Sequence, residues 1–95
     1  MKEMKKNRIV ITVVGKDKVG IIAGVANTLA ECNANIIDIS QTIMQEFFTM
    51  IMMVDISNCT VDFGTLKELL QERGNQLEVK ITAQHEDVFH FMHRI

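Results

Sequence analysis

The sequence predicts an α+β sandwich: a four-stranded antiparallel sheet with two helices on one face, followed by a short C-terminal helix. Three observations carry that prediction. Apolar residues switch between a period of two and a period near 3.6 in the order βαββαβ, the periods of strand and helix respectively. The switches fall at glycines and polar turns, notably residues 15–20, 45–46 and 57–60. At 95 residues the chain can fill one core, and two βαβ crossovers interleaved through a central hairpin bury such an order of elements.

Each element has its own signal. Residues 8–14 (RIVITVV) are β-branched after the arginine and stop at Gly15, as a first strand does. In the polar turn that follows, Asp17 is placed to cap a helix. Over residues 19–33, Ile22, Val25, Ala26, Leu29 and Cys32 recur at helical spacing. Gly24 inside that stretch costs about 1 kcal/mol relative to alanine, which a close approach by another backbone would explain. Asn33-Ala34-Asn35 ends the helix and leads into IIDISQTIM, with Ile37, Ile39, Gln41 and Ile43 on one face and Ile36, Asp38, Ser40, Thr42 and Met44 on the other. Gln45-Glu46 fits a tight turn into a third strand over residues 47–55. There Phe48, Met50, Met52 and Val54 alternate with Phe47, Thr49, Ile51 and Met53, so both faces are apolar enough to be covered in part. Phe63, Leu66, Leu69 and Leu70 mark a second amphipathic helix, closed by Gly74-Asn75. Leu77, Val79, Ile81 and Ala83 then alternate with Glu78, Lys80 and Thr82 as a fourth strand. A last helix over about residues 85–94 carries Val88, Phe91, Met92 and Ile95 on one side. The arrangement is the ferredoxin-like βαββαβ sandwich, with residues 1–7 a basic tail and residues 8–95 a single domain.

Composition narrows the function. Hydrophobic residues at 47% and charged residues at 23% describe a globular chain and argue against disorder. A net charge of −2 argues against nucleic acid, and Lys2, Lys5, Lys6 and Arg8 read as a solvated tail. Cys32 and Cys59 form no secreted disulfide pattern and read as reduced thiols of a cytoplasmic protein. No stretch reaches the ~20 apolar residues that span a bilayer, and no targeting signal is evident, so no membrane partner is expected.

The first strand-to-helix turn, VVGKDKVGIIAG, discriminates among functions that this sandwich hosts. A phosphoryl-hydrolysing site there needs an arginine beside an anion cradle, and the turn offers only Lys16 and Lys18. A soft-metal carrier needs a cysteine pair in the same turn, and an RNA-recognition sheet needs stacking aromatics that the first strand lacks. What remains is residues 15–22 followed by Asn35-Ile36-Ile37-Asp38, which resemble the signature of the ACT-domain family: an acidic and a bulky aliphatic residue before a glycine at the first helix, then an Asn-Ile pair opening the second strand. The likeness spans residues 8 to 84 and is nearest to short single-domain members.

That resemblance implies a regulatory domain that binds an amino acid at a subunit interface and needs no cofactor. The expected ligand-binding residues are Asp17, Lys18, Val19, Gly20, Ile21, Asn35, Ile36 and Asp38. Backbone N–H groups around residues 19–21, at a helix N-terminus, favour a carboxylate. Gly20 has no Cβ to keep a ligand from the backbone, and Asn35 and Asp38 can accept hydrogen bonds from an ammonium group. The same residues also have plain structural readings: Asp17 as a helix cap, Gly20 as relief of crowding, Asn35 as a turn residue.

No serine or cysteine has an activating histidine nearby in sequence, so no catalytic residues and no enzyme are expected. Met50, Met52 and Met53 read as soft filler of a core or an apolar dimer surface. Glu86, His90 and His93 share one helix face; it is read as a solvated face, with a metal site as the alternative. The expected assembly is a homodimer joined through sheet edges or helix faces and acting in trans on a partner protein. The rival readings are a protein-interaction module without a working ligand site and a ferredoxin-like metal-binding protein.

Overall fold

The computed structural model describes residues 7–16 and 19–87. Six elements follow the expected order: β1 (Arg8–Lys16), α1 (Ile21–Glu31), β2 (Asn35–Met44), β3 (Phe47–Asp55), α2 (Phe63–Leu77) and β4 (Val79–His85). The strands form one sheet in the order β2-β3-β1-β4, with every neighbouring pair antiparallel. One face carries the core. Ile9, Ile11 and Val13 of β1, Phe48, Met50, Met52 and Val54 of β3, and Val79, Ile81 and Ala83 of β4 are buried against Ile21, Val25 and Leu29 of α1 and Leu66 and Leu70 of α2. Met50 and Met52 are thus core filler, while Met53 is half-buried on the opposite face.

Several boundaries differ from the sequence expectation, each for a local reason. β1 does not stop at Gly15 but runs on to Lys16. Gly15 stands opposite Val79, where a Cβ would lie 2.7 Å from Val79 Cγ1, so the glycine lets β1 and β4 close together. The N-cap position of α1 is held by Gly20, at φ 96° and with no side-chain cap bond, in a left-handed conformation that glycine adopts without penalty. The helix therefore opens on Ile21, which is buried, and Ile22 is 40% exposed. The true stripe is Ile21, Val25, Thr28, Leu29 and Cys32; two adjacent isoleucines left the phase open by one residue.

Gly24 does face a close approach, but by side chains. Its Cβ would meet Leu77 Cδ1 at 2.9 Å and Arg73 Cδ at 3.6 Å, both from α2. Beside it, buried Thr28 donates its hydroxyl to the Gly24 carbonyl at 3.2 Å and accepts from Arg73 Nε at 3.1 Å, tying the helices together. Gly74-Asn75 does not end α2. The helix continues to Leu77 and is capped by Glu78 at φ 63°. Leu77 is accordingly a helical residue and not the start of the last strand. Gly74 is required because β4 returns directly over it, with the Val79 carbonyl oxygen 2.8 Å from where a Cβ would stand.

In β2 a bulge at Ile37 shifts the register: Ile36 pairs with Val54, and Asp38 pairs with Met53. The extra residue puts Ile36 on the same side as Ile39, Gln41 and Ile43 and not opposite them. Asp62 caps α2, accepting from Thr65 N–H at 2.8 Å; hydrogen bonding from the Thr65 side chain first, and then from its backbone N–H, holds the carboxyl below the usual carboxylate range. β4 extends to His85, whose ring lies 4.4 Å from that of Phe63. The expected C-terminal stripe of Val88, Phe91, Met92 and Ile95 lies outside the described residues. No described helix is long and apolar enough to cross a membrane.

Candidate functional site

The turn from β1 to α1 holds the first half of the expected site. Asp17 and Lys18 lie outside the described residues. Val19 is fully exposed, and Gly20 follows in its left-handed conformation. Among the described residues, none beyond its chain neighbours has an atom within 4 Å of a Cβ built on Gly20, and the backbone angle is what calls for glycine here. The Gly20 carbonyl accepts the first helical bond, from Gly24 N–H at 2.8 Å. The N–H groups of Ile21, Ile22 and Ala23 precede that bond and receive no side-chain cap from Gly20, leaving a patch of positive potential at the helix end. Ile21 offers only its backbone, because its side chain is 1% exposed in the core.

The second half lies elsewhere. Asn35 opens β2 opposite Asp55, which in turn neighbours Arg8 at the start of β1. Gly20 follows the other end of β1, where Lys16 neighbours Phe47 and Phe47 neighbours Met44. Eight residues of strand separate these ends, or about 25 Å at ~3.3 Å per residue. One chain therefore does not bring Gly20 together with Asn35, Ile36 and Asp38. By the alternation of the ladder, Asn35 and Asp38 stand on the sheet face away from the helices, and half-buried Ile36 stands on the helix side. The Asp38 carboxylate already accepts from Ile39 N–H at 3.0 Å.

What sequence reasoning missed is the character of β2 as an edge. Beyond Ile36 every residue of the strand is exposed, including Ile39 at 42% and Ile43 at 53% on the helix side. Met44, Phe47 and Ile51 add exposed apolar surface on the other face of the same hairpin. The period of two identified the strand, but an edge strand and a covered strand share that period. A groove lies between the helices, lined by Thr28, Glu31, Leu69, Glu72, Arg73 and Gln76, and it was not anticipated either.

The suggested metal face is only partly described: Glu86 forms a two-bond ion pair with Arg8, at 3.0 and 2.7 Å, and His90 and His93 lie outside the described residues. Among the described residues, no three histidine, cysteine, aspartate or glutamate side chains group as a metal site.

Against this geometry, a sequence profile of the ACT domain matches residues 7–84, from the start of β1 through β4. This chain belongs to the ACT-domain family. ACT domains are typically regulatory modules that bind small molecules, amino acids among them. The present ACT domain is 57% identical over 89 residues to the UPF0237 protein MJ1558 of Methanocaldococcus jannaschii, covering 94% of this chain and 99% of that protein. It is 59% identical over 86 residues to the UPF0237 protein CPE1496 of Clostridium perfringens, covering 90% and 97%. Among solved structures, an ACT domain protein from Streptococcus pneumoniae superposes with a TM-score of 0.77 at 45% identity, covering 90% of this chain and 96% of that one. These relatives are of single-domain length.

Proposed function

We propose that this ACT domain is a cytoplasmic regulatory module without catalytic activity that binds an amino acid at two equivalent sites between two copies of the chain and acts in trans on a partner protein. The observation that carries this reading is the exposed apolar edge of β2. A second β2 can pair with it antiparallel about a twofold axis through Gln41. Ile39 then faces the partner's Ile43 twice on the helix side, while Ser40 faces Thr42 and Asp38 faces Met44 on the other. No like charges oppose, and two isoleucine pairs leave water.

That pairing also reunites the divided site. Because the strands run in opposite directions, the start of the partner's β2 comes to the Gly20 end of the sheet. Val19, Gly20 and the Ile21 N–H from one copy then face the Asn35, Ile36 and Asp38 segment of the other. The α1 N-terminus suits the ligand's carboxylate, and Asn35, at the end of its strand, is better placed than Asp38 for the ammonium group. An occupied interface regulates only if the ligand binds the paired state more tightly than the separate one.

The test is complementation. A thermal-shift screen of the amino acids identifies the ligand, and Gly20→Asp and Asn35→Ala should each abolish the response while remaining folded. Mixed dimers of the two variants contain one site with both defects and one with neither, so about half of the binding returns. A site built within one chain predicts no recovery. Partner capture that ignores every amino acid would favour an interaction module instead.

A further inference from the structure

Two cysteines lie on adjoining segments at the end of the sheet remote from Gly20. Cys32 caps the C-terminal end of α1 and is buried; Cys59 lies in the loop between β3 and α2, half-buried against the same core cluster. Two bonds hold their segments side by side. Thr60 N–H donates to the Cys32 carbonyl at 2.9 Å, and Asn33 Nδ2 donates to the Asn58 carbonyl at 2.9 Å. The first bond, with ordinary amide geometry, sets the two α-carbons roughly 5–7 Å apart. A disulfide spans about 4.4–6.8 Å between α-carbons. Both side chains face one apolar cluster, so neither has to swing out of solvent to reach the other.

We propose that Cys32 and Cys59 are a cystine-forming pair, an oxidative modification site at which hydrogen peroxide joins the C-terminal end of α1 to the β3–α2 loop. The two thiols are unequal. Burial first, then Cys59 and Glu31, raise the Cys32 thiol above its ordinary pKa, so the more accessible Cys59 meets the oxidant. Its thiolate attacks one peroxide oxygen, the O–O bond breaks, and hydroxide leaves to take up a proton as water. The product is a sulfenic acid on Cys59. Cys32 Sγ then attacks that sulfur. The S–O bond breaks as the S–S bond forms, and the hydroxyl departs with the Cys32 proton as a second water. Two thiols lose two electrons, and one peroxide is reduced to two waters. The bond closes the β2–β3 hairpin into a ring and fixes the point where β2 begins.

The experiment uses the full chain, reduced and then treated with equimolar hydrogen peroxide at neutral pH. The intact mass is expected to fall by about 2 Da, the two hydrogens that leave. Proteolysis after Glu46, which lies between the cysteines, should leave their peptides joined until a reductant is added. Cys32→Ser and Cys59→Ser should each lose that mass change. A wild-type product that gains about 16 or 32 Da, joins two chains on a non-reducing gel, or remains unreacted would overturn the proposal.

Discussion

Replacing Gly74 by alanine should destabilise this domain, although helix propensity alone predicts the opposite. In a helix interior the exchange ordinarily stabilises by about 1 kcal/mol. Here the new Cβ would stand 2.8 Å from the Val79 carbonyl oxygen and 3.1 Å from Ile81 Cγ1. The backbone oxygen cannot rotate away as a side-chain end can, because a single residue, Glu78 at φ 63°, joins α2 to β4. Overpacking of this kind costs about 3 kcal/mol at the upper end of its usual range. After the propensity gain, a net loss of about 2 kcal/mol remains. That corresponds to a fall in Tm of roughly 8–16 °C for a domain of this size. The same helix supplies its own control. Gly64 has only Asp62 Oδ1, at 4.0 Å, near a built Cβ, so Gly64→Ala should gain about 0.5 kcal/mol at that helix end. Urea unfolding followed by circular dichroism, at one fixed protein concentration so that any self-association is held constant, measures both. Gly74→Ala as stable as wild type would refute the reasoning, since it would mean that β4 yields where its carbonyl is expected to hold.

Other outcomes follow from single features. Gly20→Ala should cost about 1–2 kcal/mol from backbone strain alone, with no steric part, and Gly20→Asn should cost less; denaturation midpoints separate them. Asp62 has its pKa lowered by hydrogen bonds from the Thr65 side chain and then from the Thr65 N–H. Its contribution is thus complete above the ordinary carboxylate pKa and lost as pH falls through the lowered one. The stability gap between wild type and Asp62→Ala should therefore close in acid, while that between Asp62→Asn and Asp62→Ala should not. Leu29→Ala should lose about 2–5 kcal/mol, as its side chain is fully buried; a loss under ~1 kcal/mol would show that the core collapses around it. Under native conditions a thiol reagent should modify Cys59 well before Cys32, and equal rates would contradict the burial of Cys32.

The strands were legible because burial on one face writes itself as alternation. Ile9, Ile11 and Val13 and then Val79, Ile81 and Ala83 display it plainly, and the turn at Gln45-Glu46 lies where the period resets. Glycines were legible as special but not as to why. Gly15 and Gly24 each admit a neighbour distant in sequence and Gly74 admits the strand that turns back over it, whereas Gly20 serves a backbone angle, and one letter stands for both needs. The candidate site was legible as two short segments. Their separation depends on which end of the sheet each segment meets, a property of topology that no local pattern carries. Ile36 was misassigned because alternation assumes a strand without an extra residue.

That extra residue divides β2 into two stretches with separate loyalties. Before the bulge, Ile36 answers to the chain's own core; after it, Ile39, Gln41 and Ile43 pair with β3 but leave their side chains exposed. Substitutions in the second stretch can thus alter which surface the strand suits while leaving the first, and the fold, intact. A family built on this hairpin has a place where new pairings can be tried at little cost to folding.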